Sequence, residues 1–134
     1  MDKEAVLQEL RDAEAILQGH FVLSSGLHSD TYIQCARALM DATRAERLCA
    51  ALAERVKEAV SATIDVVVSP AMGGVVVGYE MGRQLGVPAL FCERIDGVFT
   101  LRRGFGINEG DSVLVVEDVV TTGKSSKEAI DCVE

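Results

Sequence analysis

Apolar residues at helical spacing open the chain. Val6, Leu7, Leu10, Ala13, Ile16 and Leu17 recur with charges between them, which predicts an amphipathic helix over 3–18 with Gly19 as its C-cap. Residues 20–36 change character. Short β-like runs flank a polar, glycine-containing turn in Phe21-Val-Leu-Ser-Ser-Gly-Leu-His-Ser-Asp-Thr-Tyr-Ile-Gln-Cys35, so a hairpin or hood is expected there. The helical period returns from about 41 or 43 to 60. Leu48, Leu52, Val56 and Val60 share a face, and either Asp41 or Thr43 suits the N-cap.

After residue 63 the pattern changes again. Ile64-Asp-Val-Val-Val-Ser69 has almost no alternation, as in a strand covered on both faces. The loop Ser69-Pro-Ala-Met-Gly-Gly74 follows, then a helix to about Gly86 that Val87-Pro88 stops. Ala89-Leu-Phe-Cys92 is a second short strand, 93–110 a polar excursion with glycines, and Asp111-Ser-Val-Leu-Val-Val-Glu-Asp118 a third buried strand leading into a loop and a last helix. Strands alternating with helices imply an α/β fold with a parallel sheet and right-handed crossovers.

Composition narrows the class. The length of 134 residues predicts a single domain, with an N-terminal helix and hood over about 1–40 and an α/β core over about 41–134. A hydrophobic content of 49% excludes a disordered chain. The longest nearly uncharged stretch, 66–79, is interrupted by Pro70 and glycines and is too short to span a bilayer. The N-terminus is acidic and amphipathic, without a signal pattern. Cys35, Cys49, Cys92 and Cys132 form no CxxC pair and read as reduced, mostly buried thiols of a cytoplasmic protein. The net charge of -8 argues against nucleic acid as a partner. It also means that any phosphate ligand must be captured by local fields.

The strongest chemical signal is Val113-Leu-Val-Val-Glu-Asp-Val-Val-Thr-Thr-Gly-Lys-Ser125. A hydrophobic strand delivers two acids, Glu117 and Asp118, to its carboxyl end, where open α/β sheets bind ligands. Val119, Val120, Thr121, Thr122, Gly123, Lys124 and Ser125 then lead into a helix. Backbone N–H groups, two hydroxyls and the positive end of the helix dipole suit one compact phosphate. A P-loop would need glycine at 118, where Asp118 stands. The acids suit a vicinal diol or a shared divalent cation. Ala71, Met72, Gly73 and Gly74 form a second loop able to offer backbone amides to an anion. Gly74, Gly78, Gly82 and Gly86 make one glycine face, expected to pack closely on the sheet or on a partner helix.

Glu117-Asp-Val-Val-Thr-Thr-Gly-Lys-Ser125 resembles the phosphoribosyl pyrophosphate (PRPP) signature of type I phosphoribosyltransferases. The resemblance extends along the chain in the family's own order. It implies that Glu117 and Asp118 contact the ribose hydroxyls, that 121–125 wraps the 5′-phosphate with Thr121 near the base, and that 71–74 is a pyrophosphate loop. Residues 21–34 resemble the hood of the orotate enzymes, which implies that Ser24, Ser25, Gly26, Tyr32 and Ile33 lie near orotate. His28 reads as a turn residue rather than a base. In the excursion, Arg94, Arg102 and Arg103 stand on an arginine hairpin where many orotate enzymes carry a Lys- and His-rich loop. Arg94 is expected beside the pyrophosphate loop, and Arg102 and Arg103 as pyrophosphate clamps or as a solvated hairpin.

The resemblance implies an orotate phosphoribosyltransferase using PRPP and orotate, with Mg²⁺ held by no dedicated cage of protein ligands, in contact at most with Asp118 through water, and a homodimer without a membrane or nucleic-acid partner. Transfer to another base and a non-catalytic PRPP-binding regulator are the alternatives. The family's sheet would need a further strand after the last helix, so the chain is expected to be C-terminally incomplete, lacking an arginine contact to orotate.

Overall fold

The computed structural model describes residues 1–23 and 25–134. They form two compact units, Met1–Leu48 and Cys49–Glu134.

In the first unit, helix α1 spans Lys3–Asp12 and is capped by Asp2, whose Oδ1 accepts from the Ala5 N–H at 2.8 Å. The helix ends six residues earlier than the apolar period suggests. Glu14 turns the chain at φ 56, and Ile16 and Leu17 belong to strand β1, Ile16–Val22. A ladder to β2, His28–Ile33, satisfies that backbone and overrides the helical pattern. Gly19 is therefore not a cap. It lies in an irregularity between the pairs Gln18↔Thr31 and Phe21↔Ser29, at φ 156, where a Cβ would touch the Phe21 ring at 3.4 Å. The hairpin expectation holds, with an earlier start.

The helix expected from 41 or 43 to 60 has a short forerunner. Helix α2 spans Cys35–Leu39 and α3 spans Ala42–Ala59. Asp41, not Thr43, caps α3. Its Oδ1 accepts from the N–H groups of Thr43 and Arg44 at 2.9 and 3.1 Å, and the Arg44 N–H above all holds its carboxyl below the usual value. A small core joins Ala13, Ala15 and Ala38 to Leu10 and Leu48. At its rim Glu9 accepts from Arg47 Nε at 2.7 Å and Arg44 Nε at 3.0 Å.

The second unit is built on a four-stranded sheet of order β5-β4-β3-β6. Strand β3 (Val66–Pro70) is parallel to β4 (Ala89–Ile95) and to β6 (Val113–Val115), while β5 (Val98–Leu101) returns antiparallel on β4. The sheet is mixed rather than wholly parallel, because Asp96 and Gly97, at φ 51 and 82, close a two-residue hairpin. All five residues of β3 are buried, which accounts for its missing alternation. Helix α4 (Gly74–Leu85) packs on the sheet through its glycine face. A Cβ on Gly78 would lie 2.4 Å from Ser69 Oγ, and one on Gly82 2.8 Å from Ala89 Cβ. Gly86 ends the helix at φ 71. Helix α5 (Lys124–Val133) covers a core of Val68, Cys92, Phe99 and Ala129. Cys49 and Cys92 are buried, and burial pushes both thiols up to about 11; Cys35 and Cys132 are half-buried, and none of the four is joined in a disulfide.

Candidate active site

Parallel pairing of β3 and β6, with Val66↔Val113 and Val68↔Val115 in register, puts the exits of these strands side by side. The exit of β3 is the tight turn Ala71-Met72-Gly73 into α4, whose first peptide is cis. Ala71 donates its N–H to the Cys92 carbonyl at 2.8 Å. Met72 is 87% exposed, so the turn presents backbone rather than a packed side chain. The exit of β6 runs through Glu117 and Asp118 to Gly123.

One contact joins these loops. A Cβ on Gly73 would lie 2.9 Å from Asp118 Oδ2 and 3.1 Å from Oδ1, so the carboxylate occupies the space that the missing side chain leaves. Gly74 is buried, and a Cβ there would meet Pro70 at 3.1 Å and the Val116 carbonyl at 3.4 Å. Of the residues expected to act together, the structure brings Gly73, Gly74 and Asp118 into one place.

Glu117 is half-buried and accepts a hydrogen bond from Ser126 Oγ in α5. Val119, Val120, Thr121 and Thr122 are exposed along the loop, as is Lys124. Thr122 Oγ1 accepts from the Lys124 N–H at 3.3 Å, and Gly123 turns into α5 at φ 83, a conformation that favours glycine. Ser125 is half-buried in the first turn. Both helices at this edge, α4 and α5, have glycine at the N-cap and no side-chain cap. Apart from the Lys124 N–H, held by Thr122, and the Val75 N–H, held by the Met72 carbonyl, their leading N–H groups and dipole ends can be offered to an anion.

Arg94 and Arg103 are committed elsewhere in the unit. Arg94 donates to Glu128 in α5 at 2.6 Å and to the Gly97 carbonyl at 3.0 Å, and lies over the Phe99 ring at 4.1 Å. None of these partners belongs to the 71–74 loop, beside which Arg94 was expected. Arg103, at φ 61, forms a two-point pair with Glu93 at 2.8 and 3.1 Å. That pair holds the Glu93 carboxyl below the usual range, with a smaller pull from Arg102, which is exposed.

In the first unit, Ser24 lies outside the described residues. The N–H of Gly26, which adopts φ 85, bonds the Leu23 carbonyl at 2.8 Å, and Ser25 Oγ accepts from the Leu27 N–H at 3.4 Å. Tyr32 and Ile33 are partly exposed at the end of β2, and Tyr32 stacks on Phe21 with centroids 5.6 Å apart. His28 is not in the turn. It begins β2 and hydrogen-bonds His20 across the hairpin.

The model of the phosphoribosyl transferase domain family matches residues 36–134. The orotate phosphoribosyltransferase of Sphingopyxis alaskensis is 60% identical over 133 residues, covering 99% of this chain and 68% of its own length. The chain belongs to the orotate phosphoribosyltransferase family. That of Caldicellulosiruptor saccharolyticus is 52% identical over 134 residues, covering all of this chain and 69% of its own length. The crystal structure of the Aeropyrum pernix orotate phosphoribosyltransferase, 26% identical, superimposes with a TM-score of 0.72 over 96% of this chain and 72% of its own. The Saccharomyces cerevisiae adenine phosphoribosyltransferase, at 22% identity and TM-score 0.72 over 97% of this chain and 80% of its own, shares the fold.

Three residues of the site's surroundings were missed in the sequence: Ser126, Glu128 and Glu93. Each partners a residue that was anticipated, at separations of 9, 34 and 10 positions. The only available signal was weak: a second serine at the start of a helix and acids in a segment rich in arginine.

Proposed function

We infer that the protein transfers ribose 5-phosphate from PRPP to N1 of orotate, giving orotidine 5′-monophosphate and pyrophosphate in pyrimidine biosynthesis. The observation that carries this reading is the Asp118 carboxylate seated on Gly73, between two uncapped glycine-started helices, in a chain of the orotate phosphoribosyltransferase family. One loop suits the pyrophosphate through backbone at 71–74. The other suits the 5′-phosphate through 121–125, with Glu117 and Asp118 accepting from the ribose hydroxyls. Ser24, Ser25, Gly26 and Tyr32 of the hood, and Thr121, are assigned to orotate on the strength of the family motif.

Attack by N1 forms the bond to the anomeric carbon, breaks the bond from that carbon to pyrophosphate, and releases the N1 proton to the leaving pyrophosphate or to water. The chain's task is to align the reactants and to stabilise the charge that builds on the leaving pyrophosphate. Arg102 and Arg103 serve as clamps on that group only if Arg103 exchanges Glu93 for phosphate. Among the described residues no cluster of three or more His, Cys, Asp or Glu could hold a metal ion. The oxygen donors of Asp118 nonetheless fit a hard cation, and Mg²⁺ entering with PRPP, in contact with Asp118 through water, would neutralise charge on the pyrophosphate.

A homodimer in the cytoplasm completes the reading. The dimer is supported by Val76 and Tyr79, 53% and 69% exposed on α4. No helix among the described residues is long and apolar enough to cross a membrane. The test is a panel of bases supplied with PRPP and Mg²⁺. Orotate is expected to be consumed well ahead of uracil, adenine and hypoxanthine; preference for any other base overturns the assignment.

A further inference from the structure

Glu117 stands immediately before the loop that carries the phosphate-binding pattern, and Ser126 stands just after it, in the first turn of α5. The Ser126 hydroxyl donates to Glu117 Oε2 at 2.5 Å, across nine positions of sequence. Both side chains are partly shielded from water, so the bond competes less with solvent than one on an open surface. It does two things at once. It closes the 117–126 loop at its base, and it commits one oxygen of the carboxylate, leaving the other oxygen and the remaining lone pairs to accept from a ligand. A carboxylate whose orientation is set before the ligand arrives loses less freedom on binding.

We propose that Ser126 is a positioning residue. It orients Glu117 toward the ribose hydroxyls of PRPP and latches the loop that receives the 5′-phosphate. This rests on the function proposed above and extends it to a residue outside the Glu117–Ser125 signature. Ser126 itself touches no substrate. Its effect passes through Glu117, so it acts on the sugar phosphate and not on the base.

The test is steady-state kinetics on Ser126→Ala, Ser126→Val and Ser126→Thr, with melting temperatures measured alongside. Ala and Val are expected to raise KM for PRPP about tenfold, the effect of losing a hydrogen bond to a charged group. Both should leave kcat and KM for orotate within about twofold, and Thr should behave like the wild type. Thr and Val share a shape and differ in the hydroxyl, so their contrast survives any effect of size on folding. In a Glu117→Gln background the Ser126→Ala penalty should shrink, because the two residues act as one. Unchanged KM for PRPP in Ala, equal behaviour of Val and Thr, or a full penalty in the Glu117→Gln background overturns the proposal. A wild-type protein inert toward orotate and PRPP overturns the function and this inference together, whereas an active wild type with an indifferent Ser126→Ala overturns this inference alone.

Discussion

Helices α1 and α3 begin on aspartates, whereas α4 and α5 begin on glycines. Asp2 and Asp41 turn their carboxylates onto the first N–H groups, so those ends are satisfied and negatively charged. Gly73 and Gly123 supply no such group, so the two helices at the exits of β3 and β6 keep positive ends turned toward the loops. The same element takes two forms: a terminus closed by its own aspartate, and one that carries no acidic cap. This also resolves the difficulty that a net charge of -8 poses for a polyanionic substrate. Most of the acids are spread over the chain, while the two helix N-termini without an acidic cap are gathered at one end of the sheet.

Closing one of the open termini gives the largest expected effect. Gly123→Asp places a carboxylate where α1 and α3 carry theirs, at a φ of 83 that aspartate tolerates better than most residues. PRPP binding, measured by calorimetry, should weaken by at least about 100-fold through direct repulsion of the phosphate. Retained binding would break the contrast between the two kinds of terminus.

Asp118→Asn comes next. It keeps the fit against Gly73 and removes the charge, so turnover with PRPP and orotate should fall on the order of 10–100-fold with little change in melting temperature. An unchanged rate would remove Asp118 from the chemistry. At the closed terminus, Asp2→Ala should lower stability by about 0.5–1 kcal/mol in denaturant titration and leave KM for PRPP untouched.

The last effect is nil at neutral pH and appears only in alkali. Burial holds the Cys49 and Cys92 thiols at about 11, against 9.0 for the exposed group. A raised acid pKa means that the unfolded chain loses its protons first. The contribution of these two thiols is therefore constant below about pH 9 and declines as pH rises from 9 toward 11. Alkylation at pH 8 should correspondingly label Cys35 and Cys132 before Cys49 and Cys92.

Much of the second unit was legible because its signals are local. The unbroken Val66-Val67-Val68 run announces burial on both faces, and the four-residue spacing of glycines announces a close helix–sheet contact that Ser69 and Ala89 provide. The end of α1 was not legible, because Ile16 and Leu17 continue a helical period although the backbone of 16–22 is claimed by β2. Of the candidate site, the place of the two loops between strand and helix could be read from their residue types and order. What escaped were long-range side-chain pairs: Asp118 against Gly73, Ser126 on Glu117, Arg94 on Glu128 and Arg103 on Glu93. Such pairs depend on how strands stack in space, which periodicity does not encode.

The most direct measurement mixes the purified protein with PRPP, Mg²⁺ and orotate and follows orotate absorbance together with pyrophosphate release. One pyrophosphate is expected for each orotate consumed, with orotidine 5′-monophosphate as the product. Pyrophosphate release without loss of orotate, or no reaction at all, would contradict it.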